Sequence, residues 1–149
     1  MSKHLKLFPT FLLIAGLFVP AFAHALTVNC DVTVNYTNGT TSESYQKNFT
    51  VGLGPKVTFF DDFSTALRQK EFSASLERID TKPHVKINYF SDVGAITAID
   101  VDASLLIRGG QAVQSTSGFL QFTDSRLTPQ KHNTGYTLSC HRIIEDETL

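Results

Sequence analysis

The chain has 149 residues, with 13 lysines and arginines against 14 aspartates and glutamates, two cysteines and no tryptophan. This length fits one domain with one hydrophobic core. The charges are nearly balanced and no cluster of lysines and arginines occurs, which argues against nucleic acid or an anionic membrane as the main partner.

The first 25 residues have the features of a secretory signal peptide. Two lysines give a short positive start, an apolar run follows over Phe8–Val19, and the small-x-small triplet Ala23–Ala25 is a cleavage site. The apolar run is shorter than the roughly 20 residues that a membrane-spanning helix needs. We therefore predict a cleaved segment over residues 1–25 and an exported domain over residues 26–149, periplasmic or secreted and without a membrane anchor.

The two cysteines, Cys30 and Cys140, both remain after cleavage at this site. In an exported chain, two cysteines most simply form a disulfide. They lack the C-x-x-C spacing of redox and metal sites. Each lies in the apolar phase of an alternating segment, so we expect a core-facing bridge between the first and last strands.

The first alternating segment, Leu26–Thr37, predicts a half-buried strand with its even-numbered residues facing the core. It ends at Asn38-Gly39, a sequence that favours a two-residue hairpin turn. With such a turn, Val28 lies opposite Phe49 and apolar residues meet along one face.

The remaining chain predicts further strands and one helix. Alternation or β-forming composition indicates strands near residues 56–60, 72–76, 85–89, 97–107, 111–123 and 136–140. Asp61 and Asp62 are good caps before apolar residues at helical spacing, so we expect a short helix over Asp62–Lys70. Gly109-Gly110 favours a second tight hairpin, and residues 124–135 form the longest predicted loop.

These elements indicate an all-β fold. About eight short strands joined by turns predict a single antiparallel β-sandwich or small barrel, with one short helix and one disulfide.

The sequence holds few candidates for catalysis or metal binding. Asp100 and Asp102 lie on one face of a predicted strand and are weak candidates for a calcium site or an acid/base pair. We favour the simpler interpretation that they face solvent. His84, His132 and His141 form no metal-binding pair. We predict no cofactor and no metal, and the lack of a nucleophile–base pair argues against an enzyme.

Phenylalanines provide the candidate binding surface. Phe59, Phe60 and Phe63 cluster before and within the predicted helix, and exposed aromatic surface is typical of a binding site. The favoured alternative is that the helix packs over the sheet and buries both Phe59 and Phe60. Leu127 and His132 from the long loop complete the candidate surface.

The main hypothesis for function is an exported, non-enzymatic binding or accessory protein. It would act through the surface of the sandwich on another exported or envelope protein, as an inhibitor or an adaptor. One alternative is a carrier of small hydrophobic ligands, with an interior lined by phenylalanines. Another is a hydrolase with an unrecognised site, which requires a histidine within hydrogen-bond reach of Asp100 and Asp102.

Overall fold

The computed structural model describes residues 26–54, 59–94 and 97–143. In these ranges, eight strands form two antiparallel four-stranded sheets, which confirms the predicted all-β fold and shows the sandwich rather than the barrel. The strands are β1 Thr27–Thr37, β2 Ser42–Gly52, β3 Phe59–Asp62, β4 Lys70–Ile79, β5 Lys82–Gly94, β6 Thr97–Leu106, β7 Gln114–Thr123 and β8 Lys131–Ile143. The first sheet has the order β2-β1-β8-β7, and the second has the order β3-β4-β5-β6. The predicted signal peptide and residues 56–58 of a predicted strand lie outside the described residues.

The core lies between the two sheets and follows from the alternation of apolar residues. In β1, the inward side chains Val28, Val32 and Val34 are buried, and in β4 Phe72 and Leu76 are buried opposite them. Full burial of such a side chain stabilises the fold by about 1.5–3 kcal/mol relative to exposure. The sandwich is therefore held mainly by these inward rows.

A disulfide joins Cys30 to Cys140, as predicted. The two residues are direct partners in the register of β1 and β8, with their Cα atoms 4.1 Å apart, and both are buried. Since β1 and β8 are the two central strands of the first sheet, the bridge crosslinks the middle of that sheet.

The first hairpin has the predicted faces but not the predicted register. Its loop has four residues, Asn38–Thr41, so Val28 lies opposite Val51, and Cys30 rather than Val28 lies opposite Phe49. The Asn38 side chain explains the wider loop, because its Oδ1 accepts hydrogen bonds from the backbone N–H groups of Thr40 and Thr41 at 3.1 and 2.8 Å. A shift of two residues keeps every side chain on its predicted face.

The predicted helix over Asp62–Lys70 is wrong, since Asp62 ends β3, Lys70 begins β4 and residues 63–69 form a turn between them. Asp62 Oδ1 accepts a hydrogen bond from the Ser64 N–H at 3.0 Å, and Thr65 and Arg68 exchange backbone hydrogen bonds of 2.8 and 3.3 Å. Aspartate caps turns as readily as helices, so the same residue is compatible with both structures.

Two further connections differ from the sequence prediction. Gly109-Gly110 does not form a hairpin, because β6 and β7 belong to different sheets and the chain crosses between them. The loop after β7 covers only residues 124–130, since Lys131–Gly135 already pair with neighbouring strands in β8.

Gly118 in β7 is a position where a side chain has no room. A Cβ at Gly118 would lie 2.3 Å from Cε1 and 2.8 Å from the hydroxyl oxygen of Tyr136 on β8. We expect Gly118→Ala to displace the Tyr136 ring and to lower the free energy of unfolding by about 1–3 kcal/mol. Urea denaturation tests this, and the matched change Ser117→Ala at the exposed neighbouring position should leave the midpoint nearly unchanged. Equal midpoints for both variants would contradict the close packing.

Candidate functional site

The outer edge of β7 is the candidate functional site. The strand pairs with β8 over all ten of its residues, and within the part of the chain that the structure describes no strand pairs with its other side. In an antiparallel sheet, half of the backbone N–H and C=O groups of an edge strand point away from the sheet. This edge therefore presents a row of unpaired backbone donors and acceptors.

The β7 edge lacks the features that usually prevent edge strands from pairing with other chains. Its sequence, QSTSGFLQFT, has no charged residue and no proline. By contrast, β2 contains Glu43 and Lys47, β6 contains Asp100 and Asp102, and β3 has only four residues. Charges, prolines and short length are the common protections of a sheet edge, so β7 is the unprotected edge among the described strands.

Exposed apolar side chains concentrate in β7 and in the residues on either side of it. The described residues include seven exposed large apolar side chains, and Val113, Phe119 and Leu120 are three of them, with 62%, 68% and 42% of their surface accessible. Leu127, in the loop that follows β7, is fully exposed. Phe119 and Leu120 are consecutive and so point to opposite faces of the sheet. A strand added to this edge would thus meet an apolar side chain on each face.

A buried hydrogen-bond chain holds the loop that follows β7. His132 Nε2 lies 3.0 Å from Asp124 Oδ2, and His132 Nδ1 lies 2.8 Å from the Tyr36 hydroxyl oxygen. Because a carboxylate only accepts, Nε2 carries the hydrogen, and in the neutral imidazole Nδ1 accepts from the Tyr36 hydroxyl. The His132 ring also stacks on Phe122, with ring centroids 4.7 Å apart. This hydrogen-bond chain, with the stacked Phe122 ring, links β1, β7 and β8 at the C-terminal end of β7.

Asp124 also holds the β7–β8 loop through contacts within the loop itself. Its Oδ1 accepts a hydrogen bond from the Gln130 N–H at 2.9 Å, and its Oδ2 lies 2.7 Å from Arg126 Nε in an ion pair without hydrogen-bond geometry. The Gln130 N–H and then the His132 imidazole lower the pKa of the Asp124 carboxyl.

This lowered pKa predicts a specific loss of stability in acid. The stabilising contribution of Asp124 is fully present above the ordinary aspartate pKa of about 3.9 and disappears as the pH falls through the lower folded value. We expect Asp124→Asn to be less stable than the native protein at pH 7, with a difference that shrinks below about pH 4. Urea midpoints from pH 7 to pH 2 measure it. A difference that stays constant across this range would contradict the prediction.

A cleft of about 430 Å³ lies at the same end of the sandwich, between the β1–β2 and β3–β4 connections. The Glu43 carboxylate on its wall accepts hydrogen bonds from Arg68 and, at 2.8 Å, from Lys70. Burial raises the pKa of Glu43, but the hydrogen bonds from Arg68 and Lys70 outweigh it and hold that pKa below its usual range. Both cations are thus paired with a carboxylate of the other sheet, and we interpret this group as a brace between the sheets.

The structure does not bring the five residues of the sequence-predicted surface together. Phe59 packs against the core and contacts Phe49, with ring centroids 5.4 Å apart, and Phe63 stacks on Tyr45 at 4.6 Å. His132 is completely buried.

Phe60 and Leu127 are exposed, but they lie on β3 of the second sheet and in the β7–β8 loop, respectively. The expectation that a helix buries Phe60 is wrong, since 60% of this residue is accessible.

Asp100 and Asp102 are held by a neighbouring amide. Asn88 Nδ2 donates to both carboxylates, at 2.7 and 3.0 Å, on the outer face of the second sheet. In the described ranges no histidine hydrogen-bonds either carboxylate: His84 contacts Ser104, His132 contacts Asp124 and Tyr36, and His141 lies on β8 of the other sheet. No group of three or more potential metal ligands occurs among these residues.

The interior phenylalanines contact one another. The rings of Phe49, Phe59 and Phe72 lie 5.4–6.0 Å apart, centroid to centroid. These three rings therefore pack against one another at the core.

A search against protein-family models finds no match, and a search of curated proteins finds none either. Along the described ranges, no helix combines the length and apolar character that crossing a bilayer requires. The candidate site thus depends on the geometry of β7 and its surroundings.

The β7 edge is not predicted as a binding site in the sequence analysis, although one feature of the sequence indicates it. The run of residues from Gly109 to Thr123 contains no charge and lies between Arg108 and Asp124. Leu67, one of the apolar residues at helical spacing in the predicted helix, is 94% accessible in the β3–β4 turn.

Proposed function

We propose that the protein is an exported, non-enzymatic binding module that takes up an extended segment of a partner protein along β7. The observation that carries this proposal is a ten-residue edge strand with no charge, no proline and apolar side chains on both faces. An edge of this kind is normally an aggregation hazard unless something pairs with it.

Binding by strand addition accounts for both the backbone and the side chains of this edge. The partner strand would form hydrogen bonds with the free N–H and C=O groups of β7, while its alternate side chains contact Phe119 on one face and Leu120 on the other. Leu127 offers a further apolar contact beyond the end of the strand. Since β7 carries no charge, the partner segment is expected to be uncharged and rich in β-branched or aromatic residues.

The disulfide supports an exported setting for this partner. Bridges of this kind form and persist in oxidising compartments and are rare in the cytosol. Together with the N-terminal sequence, the Cys30–Cys140 bridge favours a partner that is itself exported or part of the cell envelope.

Adding charge to the edge tests the proposal. The variant Ser117→Lys/Phe119→Lys places two lysines at exposed positions of β7, and lysine on an edge strand prevents strand addition. The matched control Ser44→Lys/Gln46→Lys makes the same charge change on β2, the opposite edge of the same sheet. We expect recovery of a protein partner from envelope and secreted extracts to fall about tenfold or more for the β7 variant, equivalent to about 1.4 kcal/mol, and to be unchanged for the control.

Two results would overturn this proposal. Equal recovery of the partner by both variants would place binding elsewhere. A concentration-dependent dimer of the purified protein that is lost only in the β7 variant would make a second copy of this chain the occupant of the edge, as sedimentation velocity would show.

A further inference from the structure

The outer face of the first sheet is almost free of charge, and we call it the uncharged face. It consists of the outward residues of the four strands, and most of them are threonine, serine, asparagine or glutamine. These residues are Thr27, Asn29, Asp31, Thr33, Asn35 and Thr37 of β1, Ser42, Ser44, Gln46, Asn48, Thr50 and Gly52 of β2, Ser115, Ser117, Phe119, Gln121 and Thr123 of β7, and Lys131, Asn133, Gly135, Thr137, Ser139, His141 and Ile143 of β8. Asp31 near the middle and Lys131 at one corner are the formally charged members.

The outer face of the second sheet has a different character. Its outward positions include Glu71, Glu77, Lys86, Asp100 and Asp102, with an ion pair of 2.9 Å between Lys86 and Glu77. The solvent-facing side of the second sheet therefore carries charged groups, whereas that of the first sheet carries mainly amide and hydroxyl groups.

Part of the uncharged face is fixed by hydrogen bonds between its own side chains. Asn48 Nδ2 donates to Asn29 Oδ1 at 3.0 Å and to Asp31 Oδ1 at 2.9 Å, and Ser44 Oγ donates to Asn35 Oδ1 at 2.8 Å. These contacts orient the amides and the carboxylate across β1 and β2.

An adjacent row is polar but unpaired. Gln46, Thr33, Thr137 and Ser117 are successive register partners across all four strands. Within the described residues, their side chains form no hydrogen bond with the protein. With strands 4.7–4.9 Å apart, the row spans about 14 Å. It offers a line of free hydroxyl and amide groups to a ligand.

An aromatic ring lies beside this row. Phe119 is exposed and is the register partner of Gly135, whose missing side chain leaves room for the ring. A Cβ built on Gly135 would lie 3.9 Å from Phe119 Cδ2, so the ring extends over that glycine. A ring that lies over a sheet exposes an apolar platform next to the hydroxyls.

We propose that the uncharged face binds an uncharged polysaccharide chain. Sugar rings present apolar C–H faces, which stack on an aromatic ring, and hydroxyl groups, which pair with threonine, serine, asparagine and glutamine side chains. The chain would cross the strands along the row from Gln46 to Ser117, with Phe119 as its stacking platform. Asp31 disfavours an anionic polymer at the same place, since few cations on this face would compensate its charge. This site lies on a face of the sheet and does not depend on strand addition at its edge.

Titration calorimetry of the oxidised protein with cellohexaose and chitohexaose tests the proposal. We expect one of these neutral oligosaccharides to bind more tightly than hexagalacturonate, their anionic counterpart. The double variant Thr33→Val/Thr137→Val keeps the side-chain shape and removes two hydroxyls, and should weaken binding about tenfold or more. Phe119→Ala should weaken it similarly, whereas Phe119→Tyr, which keeps the ring, should retain it.

Phe60→Ala is the matched control, because Phe60 is an exposed phenylalanine on the other sheet. It should leave affinity unchanged, and thermal melts confirm that every variant folds. No heat of binding with either neutral hexasaccharide at millimolar concentration would overturn the proposal. Tighter binding of hexagalacturonate, or native affinity in the double valine variant, would overturn it as well.

Discussion

Replacing Cys30 and Cys140 together by alanine is expected to lower the free energy of unfolding by about 4–5 kcal/mol. The bridge spans a sequence separation of 110 residues, so its removal frees a very long loop in the unfolded chain. In the chain-entropy account, the stabilisation by a disulfide grows with the length of this loop. The bridge also lies between the two central strands of the first sheet, where no other covalent link holds β1 to β8. Urea denaturation of the oxidised protein and of the double variant measures the difference.

The native protein treated with reductant provides the control for this experiment. It carries both thiols without the bridge, so its unfolding midpoint should lie near that of the double alanine variant. Equal midpoints for the oxidised protein and the variant would contradict a stabilising bridge, whatever the reduced protein does.

His132→Ala is expected to have the second largest effect, a loss of about 3–5 kcal/mol, the range for removing a large buried ring. The side chain is completely buried and stacks between Phe122 and Tyr36, so alanine leaves a cavity. The change also deprives the Tyr36 hydroxyl and the Asp124 carboxylate of their shared partner.

Tyr36→Phe separates the two parts of this effect. It removes one hydroxyl from the same hydrogen-bond chain but leaves the rings packed, so we expect the free energy of unfolding to fall by a smaller amount, about 1–3 kcal/mol. Urea denaturation of both variants gives the comparison. A His132→Ala variant no less stable than Tyr36→Phe would show that the imidazole contributes little to the core.

Much of the fold can be predicted from the sequence, because a buried sheet face requires alternation. The row from Val28 to Tyr36 specifies which side of β1 faces the core, and Cys30 and Cys140 lie in phase with their apolar neighbours. The side chains that face the core and the pairing of the two cysteines can therefore be predicted without knowing the strand order.

The errors occur where one residue satisfies two local structures equally well. Asp62 can cap a helix or a turn, and only the pairing of Phe59–Asp62 with β4 selects the turn. Asn38 can occupy a tight turn or bond to the following backbone, which widens the loop and shifts the register by two. Gly109-Gly110 indicates a turn but carries no information on which sheet the next strand joins.

The candidate site could not be predicted from the sequence for a related reason. Whether a strand is an edge depends on pairings between residues far apart in sequence, here β1 with β8, which exclude β7 from the centre of the sheet. The local pattern of β7 gives a strand and an uncharged composition, but not its place. Phe59 and Phe63 show the converse, since their clustering suggested a surface and their position in the fold places them against the core.

Hydrogen–deuterium exchange of the captured complex tests the β7 edge most directly. Backbone N–H groups that point away from the sheet exchange quickly in the free protein and slowly once a partner strand accepts their hydrogen bonds. We expect new protection in Gln114–Thr123 on binding, with little change in Ser42–Gly52 at the opposite edge. Unchanged exchange across β7, with protection appearing elsewhere in the sandwich, would contradict strand addition at this edge.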